Sequence, residues 1–182
     1  PRGFARAVTG TPDPFAVWDW LATRIADDDR NANNRFDVAD QINAMLPGGG
    51  PFWSHPVSAT PNHVPFRKPT YDGLPFAERR EVENILPGAS TCFQLYGAGA
   101  VASQSLLGLP RLQQLRVRYG ESLAVCPFEG HDAPIILAEI YPSLLAAEVK
   151  RRQYAEEIPD AAQVRVMAAA FAGLDPVSRD SM

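Results

Sequence analysis

Two carboxylates in the last third of the chain are the first candidates for chemistry. Glu139 lies in the apolar run APIILAEIYP, where a carboxylate is costly unless it is paired, metal-bound or at the wet end of a strand. Asp160 follows Pro159 at the start of a predicted helix. Side by side, the two would hold a hard divalent cation through oxygen ligands, as metal-assisted hydrolysis requires. The alternatives are an ion pair or simple exposure for Glu139 and an N-cap role for Asp160.

A second set of candidates lies in residues 47–76, a segment rich in proline, glycine and aromatic residues that we call the excursion. No helical or strand period fits it, and long irregular segments inside a compact domain are usually functional or mobile. It mixes aromatic rings with cations, a combination that can stack on bases and meet phosphates. The alternative is a loop folded over the domain, with its rings in a small satellite core. The residues concerned are Phe52, Trp53, Phe66, Arg67, Lys68 and Tyr71.

The stretch FQLYGAGAVASQSLLGLP contains a glycine pair, Gly97-Ala98-Gly99, that imitates a dinucleotide-binding loop. Such a loop joins the first buried strand of a βαβ unit to a helix, and an acidic residue ends the next strand about twenty residues on. Here the next predicted strand begins near Ser122, after a helix that we expect to be broken. We therefore predict a packing turn, where glycine and alanine let a helix approach its neighbour closely.

Polar side chains near this turn either line a pocket, together with the excursion, or satisfy nearby backbone groups. A pocket built from them would suit a nucleotide-like small molecule. The predicted pocket residues are Trp53, Arg67, Lys68, Gln94 and Gln104.

Several classes of protein are disfavoured by composition. The net charge of −4 argues against a general polyanion binder, and no apolar run approaches the roughly eighteen residues that cross a bilayer. Cys92 and Cys126 lack metal-ligand spacing and no secretory signal is visible, which predicts reduced thiols and a cytoplasmic location. Neither a GxSxG motif nor a base beside a cysteine is present, which argues against a serine or cysteine hydrolase. The histidines form no metal pattern; they are His55, His63 and His131.

Helix signals frame these candidates. Asp13-Pro14 predicts an N-cap followed by a proline in the first turn. Two further helices are predicted to begin at Pro142 and Pro159, the first ending near Lys150-Arg151-Arg152. The remaining predicted helices cover about residues 14–27, 37–46 and 76–86. The last helix carries an apolar stripe of Val164, Met167, Ala168 and Phe171.

The clearest strands are ESLAVCPFE and APIILAEIYP. Their short connection predicts antiparallel pairing, and the nearly continuous apolar run from Ile135 to Tyr141 predicts a strand covered on both faces. We predict a mixed α/β fold and a single domain over residues 1–182. Because few strands are visible for so many helices, and the chain begins at Pro1, we expect that an upstream part of the fold is missing from this chain.

Six pieces of the sequence, in this order, resemble a bacterial family of uncharacterised proteins. They are NNRFDVADQIN, GPFWSHP, FQLYGAGAVASQSLLGLP, CPFE, AEIYPSLL and IPDAAQVRVMAAAF. The family is described as predicted nucleases of ribonuclease-H-like fold, and some members carry labels for molybdopterin-guanine dinucleotide or cobalamin biosynthesis. The resemblance runs from Pro1 to about Leu174.

This resemblance implies a ribonuclease-H-like mixed sheet with flanking helices, whose first acidic strands precede Pro1. It implies that Glu139 and Asp160 are half of a carboxylate cluster that binds Mg²⁺ or Mn²⁺ for phosphodiester hydrolysis, acting on nucleic acid or a nucleotide-like molecule. The alternative is a non-catalytic protein that binds a pterin or nucleotide and is linked to molybdenum-cofactor or cobalamin biosynthesis.

Overall fold

The structure, a computed structural model, describes residues 2–86, 88–130 and 132–173. It is helix-rich with a small two-stranded sheet, so the predicted mixture of helices and strands is confirmed at this coarse level. Short 3₁₀ turns occupy Pro47–Gly49, Gly120–Ser122 and Pro142–Leu145. The helices are α1 (Arg2–Thr9), α2 (Pro14–Ala22), α3 (Arg35–Met45), α4 (Glu81–Ile85), α5 (Ala102–Tyr119), α6 (Ala146–Arg152) and α7 (Pro159–Ala172), and the strands are β1 (Leu123–Val125) and β2 (Ile135–Leu137).

The chain divides into two compact units, Pro1–Arg118 and Tyr119–Met182. We call them the N-terminal and the C-terminal unit. This division into units does not test the expectation of a single domain over residues 1–182, which stays a prediction. No helix among the described residues is both long and apolar enough to cross a membrane.

The start of α2 confirms the cap read from the sequence. The Asp13 side chain accepts a hydrogen bond of 2.9 Å from the backbone N–H of Phe15, and Pro14 occupies the first helical turn. The helix ends at Ala22, earlier than predicted, and the N–H groups of Arg24 and Ile25 share the carbonyl of Leu21 just beyond it.

Helix α4 is much shorter than the predicted helix over residues 76–86. Its N-terminus is fixed by Glu83, whose Oε2 accepts from the backbone N–H of Arg80 at 3.0 Å. Upstream, Phe76 packs edge-on against Phe4, with ring centroids 5.5 Å apart, instead of continuing the helix. Tertiary packing of one ring therefore overrides the local helical pattern.

An aromatic cluster forms the centre of the N-terminal unit. Phe4, Phe52 and Phe93 are buried and meet at centroid distances of 5.7 to 6.2 Å, and Phe76 lies 6.1 Å from Phe93. Phe52 belongs to the excursion, which therefore contributes a ring to this buried cluster. Of the two alternatives for the rings of this segment, packing inside the protein therefore applies to Phe52.

Asn43 of α3 fastens both ends of one excursion loop. Its fully buried amide donates hydrogen bonds of 2.8 Å to the carbonyls of Phe52 and His63 and accepts one of 3.0 Å from the N–H of Phe52. Gly50, at φ +76°, passes so close that a Cβ there would overlap the Cα of Asn43. A segment without regular structure is thus held by specific side-chain bonds.

The glycine pair adopts positive φ at Gly97 (+95°) and Gly99 (+76°), and Ala100 N–H bonds back to the carbonyl of Gly97. Cβ atoms built at these glycines meet neighbours only at ordinary contact distances, so the backbone conformation requires glycine and close packing does not. The prediction that these glycines allow a close approach between a helix and its neighbour was therefore wrong. The helix that follows, α5, is one continuous helix that includes Pro110, and the expected break was also wrong.

In the C-terminal unit, β1 and β2 pair in parallel, with Leu123 opposite Ile135 and Val125 opposite Leu137. The antiparallel prediction was wrong because each strand has only three residues, about 10 Å of extended chain. A turn in which the N–H groups of Phe128 and Glu129 bond to the carbonyl of Val125 reverses the chain at once. The chain between this turn and β2 is then long enough to return to the level at which β1 begins, so that β2 runs in the same direction.

The expectation that β2 is covered on both faces was wrong as well. Ile135 is 37% exposed and Ile136 is 39% exposed, whereas all three residues of β1 are buried. On α7 the buried residues are Ala162, Val166 and Met167, while Val164 and Phe171 are exposed. Ala162 of α7 packs in one buried cluster with Val149 of α6. The buried face of α7 therefore shares Met167 with the predicted stripe but is otherwise turned to one side of it.

Candidate functional site

A cleft in the N-terminal unit brings the excursion beside the segment that precedes the glycine pair. Trp53 forms a parallel bridge with Gln94: its N–H donates to the carbonyl of Phe93 at 3.2 Å, and its carbonyl accepts from Leu95 N–H at 2.9 Å. The cleft beside this bridge is open and has a volume of about 370 Å³. It is lined by Trp53, Lys68, Glu78, Arg79, Gly88, Ala89, Ser90, Thr91 and Gln94.

Two cations and one carboxylate set the charge of the cleft. Lys68 Nζ lies 2.6 Å from Glu78 Oε1 and 5.6 Å above the ring of Tyr71. The guanidinium of Arg79 donates from one nitrogen to the carbonyls of Glu83 and Ala89, which fixes its position at the rim. The formal charge of the three lining side chains is +1, which favours an anionic ligand.

Two polar side-chain atoms in the lining of the cleft are buried without a hydrogen bond. Among the residues the structure describes, three buried side-chain atoms lack such a partner: Trp53 Nε1, Glu78 Oε1 and Gln113 Oε1. The contact of Glu78 Oε1 with Lys68 is therefore close in distance but poorly aligned, so it is an ion pair without hydrogen-bond geometry. Unsatisfied buried groups are rare in folded proteins, and a bound ligand or water is one cause.

Tyr71 lies behind the same wall. Its hydroxyl donates to the carbonyl of Pro51 at 3.1 Å. Burial and the negative charge of Glu78 raise the pKa of Tyr71, against a smaller opposing effect of the nearby indole N–H of Trp53. The indole N–H thus lies close to the hydroxyl but outside hydrogen-bond geometry, and Tyr71 stays a neutral donor at physiological pH.

The far wall of the cleft, residues 88–91, supplies neutral donors. Neither the hydroxyls of Ser90 and Thr91 nor their backbone N–H groups have a partner within the described part of the chain. Gln94 is held in place by bonds from its Nε2 to the carbonyls of Tyr96 and Ala98, at 3.0 and 3.3 Å. Amide and hydroxyl donors beside a cation are suited to oxyanions.

The structure brings together three of the five predicted pocket residues. Trp53, Lys68 and Gln94 line the cleft, whereas Arg67 and Gln104 are exposed and do not line it. Glu78 and Arg79 were missed because the stretch FAERREVENIL predicts a helix with its charges in solvent. One sequence signal could have identified them as cleft residues: both charges follow directly after the proline-rich excursion.

A buried ion pair lies next to the cleft. The Glu83 carboxylate is fully buried and pairs with Arg80. Burial, and then the negative charge of Glu83, raise the pKa of the neighbouring Cys92 thiol. Cys92 and Cys126 are both free thiols, and a raised pKa makes Cys92 a poor nucleophile.

His63 has a structural partner. Its ring Nδ1 lies 3.1 Å from Asp40 Oδ2 and its backbone N–H bonds to Asp40 Oδ1. Burial works to raise the pKa of Asp40, but the hydrogen bonds and charge of His63 outweigh it and lower the pKa. This contact ties the excursion to α3, and His131 lies outside the described residues.

Glu139 and Asp160 are both exposed on separate elements of the C-terminal unit. Glu139 follows the carboxyl end of β2 and accepts a bond of 3.2 Å from the Tyr141 hydroxyl. Asp160 lies in the first turn of α7, but the N-cap is Ile158, so the N-cap role was wrong. No group of three or more His, Cys, Asp or Glu side chains that could hold a metal occurs within residues 2–86, 88–130 and 132–173.

Comparisons with known proteins add no relative: no family model, curated protein or solved structure matches the chain.

Proposed function

We propose that the N-terminal unit binds a small ligand that combines a heterocyclic ring with an anionic group. The observation that carries the proposal is one cleft that combines an indole, Lys68 and Arg79 with two buried atoms that lack a hydrogen bond, Trp53 Nε1 and Glu78 Oε1. The edges of nucleotide bases, like those of pterins, carry donors and acceptors that the polar lining of the cleft can meet. An anionic group would meet Lys68 and Arg79.

The size of the cleft supports a small molecule. About 370 Å³ lies at the lower end of the range for small-ligand pockets, roughly 300 to 1,000 Å³. An indole in the wall offers a stacking surface to a heterocyclic ring, and the hydroxyls of Ser90 and Thr91 offer donors to an oxyanion. We therefore favour a mononucleotide or pterin over a nucleic acid strand.

Calorimetric titration with the four ribonucleoside monophosphates tests this proposal. Lys68→Ala is expected to weaken the tightest of them about tenfold, since it removes a charge-assisted contact. Arg67→Ala is the matched control, because Arg67 is the adjacent cation and lies outside the cleft. Equal losses in the two variants would point to unspecific charge attraction, and no binding of any monophosphate by the wild type would overturn the proposal.

A second pair of variants tests the amide. Gln94→Ala is expected to weaken binding, because Gln94 lines the cleft and orders the turn through Tyr96 and Ala98. Gln104→Ala, on the exposed side of α5, is its control. A larger effect at Gln104 would place the ligand elsewhere.

The metal-dependent phosphodiester hydrolase, with its ribonuclease-H-like fold, stays a second proposal. One observation favours it: Glu139 follows the carboxyl end of a parallel strand, where ligands of parallel sheets bind. Two exposed carboxylates supply too few ligands for a Mg²⁺ site among the described residues. A rise in Tm with Mg²⁺ or Mn²⁺ that Glu139→Ala removes would support the hydrolase proposal. If neither ion raises the Tm of the wild type, the proposal is rejected.

A further inference from the structure

We propose that Glu78 determines the specificity of the cleft by making it select phosphate-bearing ligands over carboxylate-bearing ones. The inference rests on the proposed function and adds the class of the anionic group. It follows from one contact: the cation that would receive a ligand anion, Lys68, is already held by a carboxylate of the protein.

The existing pair is close but replaceable. Lys68 Nζ stands 2.6 Å from Glu78 Oε1 without hydrogen-bond geometry. The Lys68 side chain is 50% exposed, while that of Glu78 is 23% exposed. The flexible, exposed lysine can therefore turn toward a ligand while Glu78 stays in the wall.

A ligand carboxylate gains little in this setting. It would replace one carboxylate by another at Lys68, and the internal competitor is tethered, which gives it a high effective concentration. The exchange leaves Glu78 without its cation and returns an equivalent contact. Binding through a carboxylate alone is therefore disfavoured.

A phosphate monoester can outcompete Glu78. It carries nearly two negative charges at neutral pH and three acceptor oxygens. One oxygen can meet Lys68 while the others meet Arg79 and the donors of Ser90 and Thr91, which line the same cleft. Additional contacts that a carboxylate cannot make offset the loss of the Lys68–Glu78 pair.

The experiment uses matched ligands and a matched variant. Adenosine and guanosine, each as the 5′-monophosphate and as the 5′-carboxylate, are titrated into the wild type, Glu78→Gln and Glu81→Gln. Glu78→Gln keeps the shape of the side chain and removes its charge. Glu81 is an exposed carboxylate outside the cleft, so its variant controls for net charge.

The wild type is expected to prefer the monophosphate at least about tenfold. Glu78→Gln should tighten both ligands, the carboxylate more, so that the preference falls to about threefold, and Glu81→Gln should leave it unchanged. An equal preference in the wild type and Glu78→Gln would overturn the inference and leave the proposed function standing. Absence of binding in all proteins would instead remove the proposed function and the inference together.

Discussion

Two apolar-rich stretches of the chain reach opposite environments. The excursion, which has no regular period, buries Phe52 and Val64 at 3% exposure each. The run from Ile135 to Ile140, which has the cleanest strand pattern in the sequence, leaves Ile135, Ile136 and Ile140 between 37% and 46% exposed. Burial therefore follows the partners that a segment packs against, and apolar composition alone does not decide it.

The partners differ in kind. The excursion is fastened by Asn43 and Asp40 of α3 and by the main-chain bridge from Trp53 to Gln94. The strand β2 pairs with β1 over three residues, and the carbonyl of Leu137 accepts a hydrogen bond from Cys126 N–H. Substitutions should therefore cost more in the irregular segment than in the regular one.

Asn43→Ala is expected to give the largest effect, a loss of about 3 kcal/mol in unfolding free energy. It removes three hydrogen bonds and leaves the carbonyls of Phe52 and His63 without their buried donor. Urea unfolding measures it, with the exposed Asn84→Ala as control. A loss below about 1 kcal/mol would mean that Asn43 does not hold the excursion.

Gly50→Ala is expected to cost about 2 kcal/mol or more, because the new Cβ overlaps the backbone of Asn43 and the positive φ adds strain. Gly49→Ala is the matched variant, since Gly49 has φ +82° and open space around the built Cβ. It carries the strain alone and should cost about 1 kcal/mol. Equal losses in thermal unfolding would show that the close approach to Asn43 is unimportant.

The two strands of the sheet offer an internal comparison. Val125→Ala should cost about 1.6 kcal/mol, because two buried carbon groups are removed. Ile136→Val, at a position 39% exposed, should cost less than about 0.5 kcal/mol. If chemical denaturation showed the larger loss at Ile136, β2 would be covered in solution.

Acid should loosen the excursion slightly. The pKa of Asp40 is lowered from its ordinary value of 3.8, so its contribution to stability is present above that value and is lost as pH falls through the lower folded pKa. We expect Asp40→Asn to flatten the pH dependence of unfolding free energy below about pH 4, by less than about 1 kcal/mol. Asp37→Asn, one turn away and exposed, should leave the profile unchanged. Identical profiles for the wild type and Asp40→Asn would refute the assignment.

What the sequence could predict were local features. The Asp13-Pro14 helix start and the helices that begin near Pro142 and at Pro159 rest on neighbours in the chain, and the structure has them. The parallel pairing of β1 with β2 depends on the path of the connection, which strand composition does not reveal. Local sequence patterns therefore predicted the starts of the helices but not the direction in which the two strands pair.

The candidate cleft shows the same limit. Trp53, Lys68 and Gln94 stood out by residue type, and all three line one cleft in the structure. Glu78 and Arg79 looked like solvated helix charges, because nothing in their spacing signals that Phe76 would be drawn into the aromatic cluster and end the helix. Contacts between distant segments decided which charges face the cleft.

The bridge between Trp53 and Gln94 gives the excursion a spectroscopic reporter. The amide protons of Trp53 and Leu95 are bonded across the two segments, so they exchange with solvent only when the segments part. Their exchange rates measure how often the two segments separate at this bridge. A ligand that stacks in the cleft would slow both protons together, which ties occupancy of the site to the opening rate of the bridge.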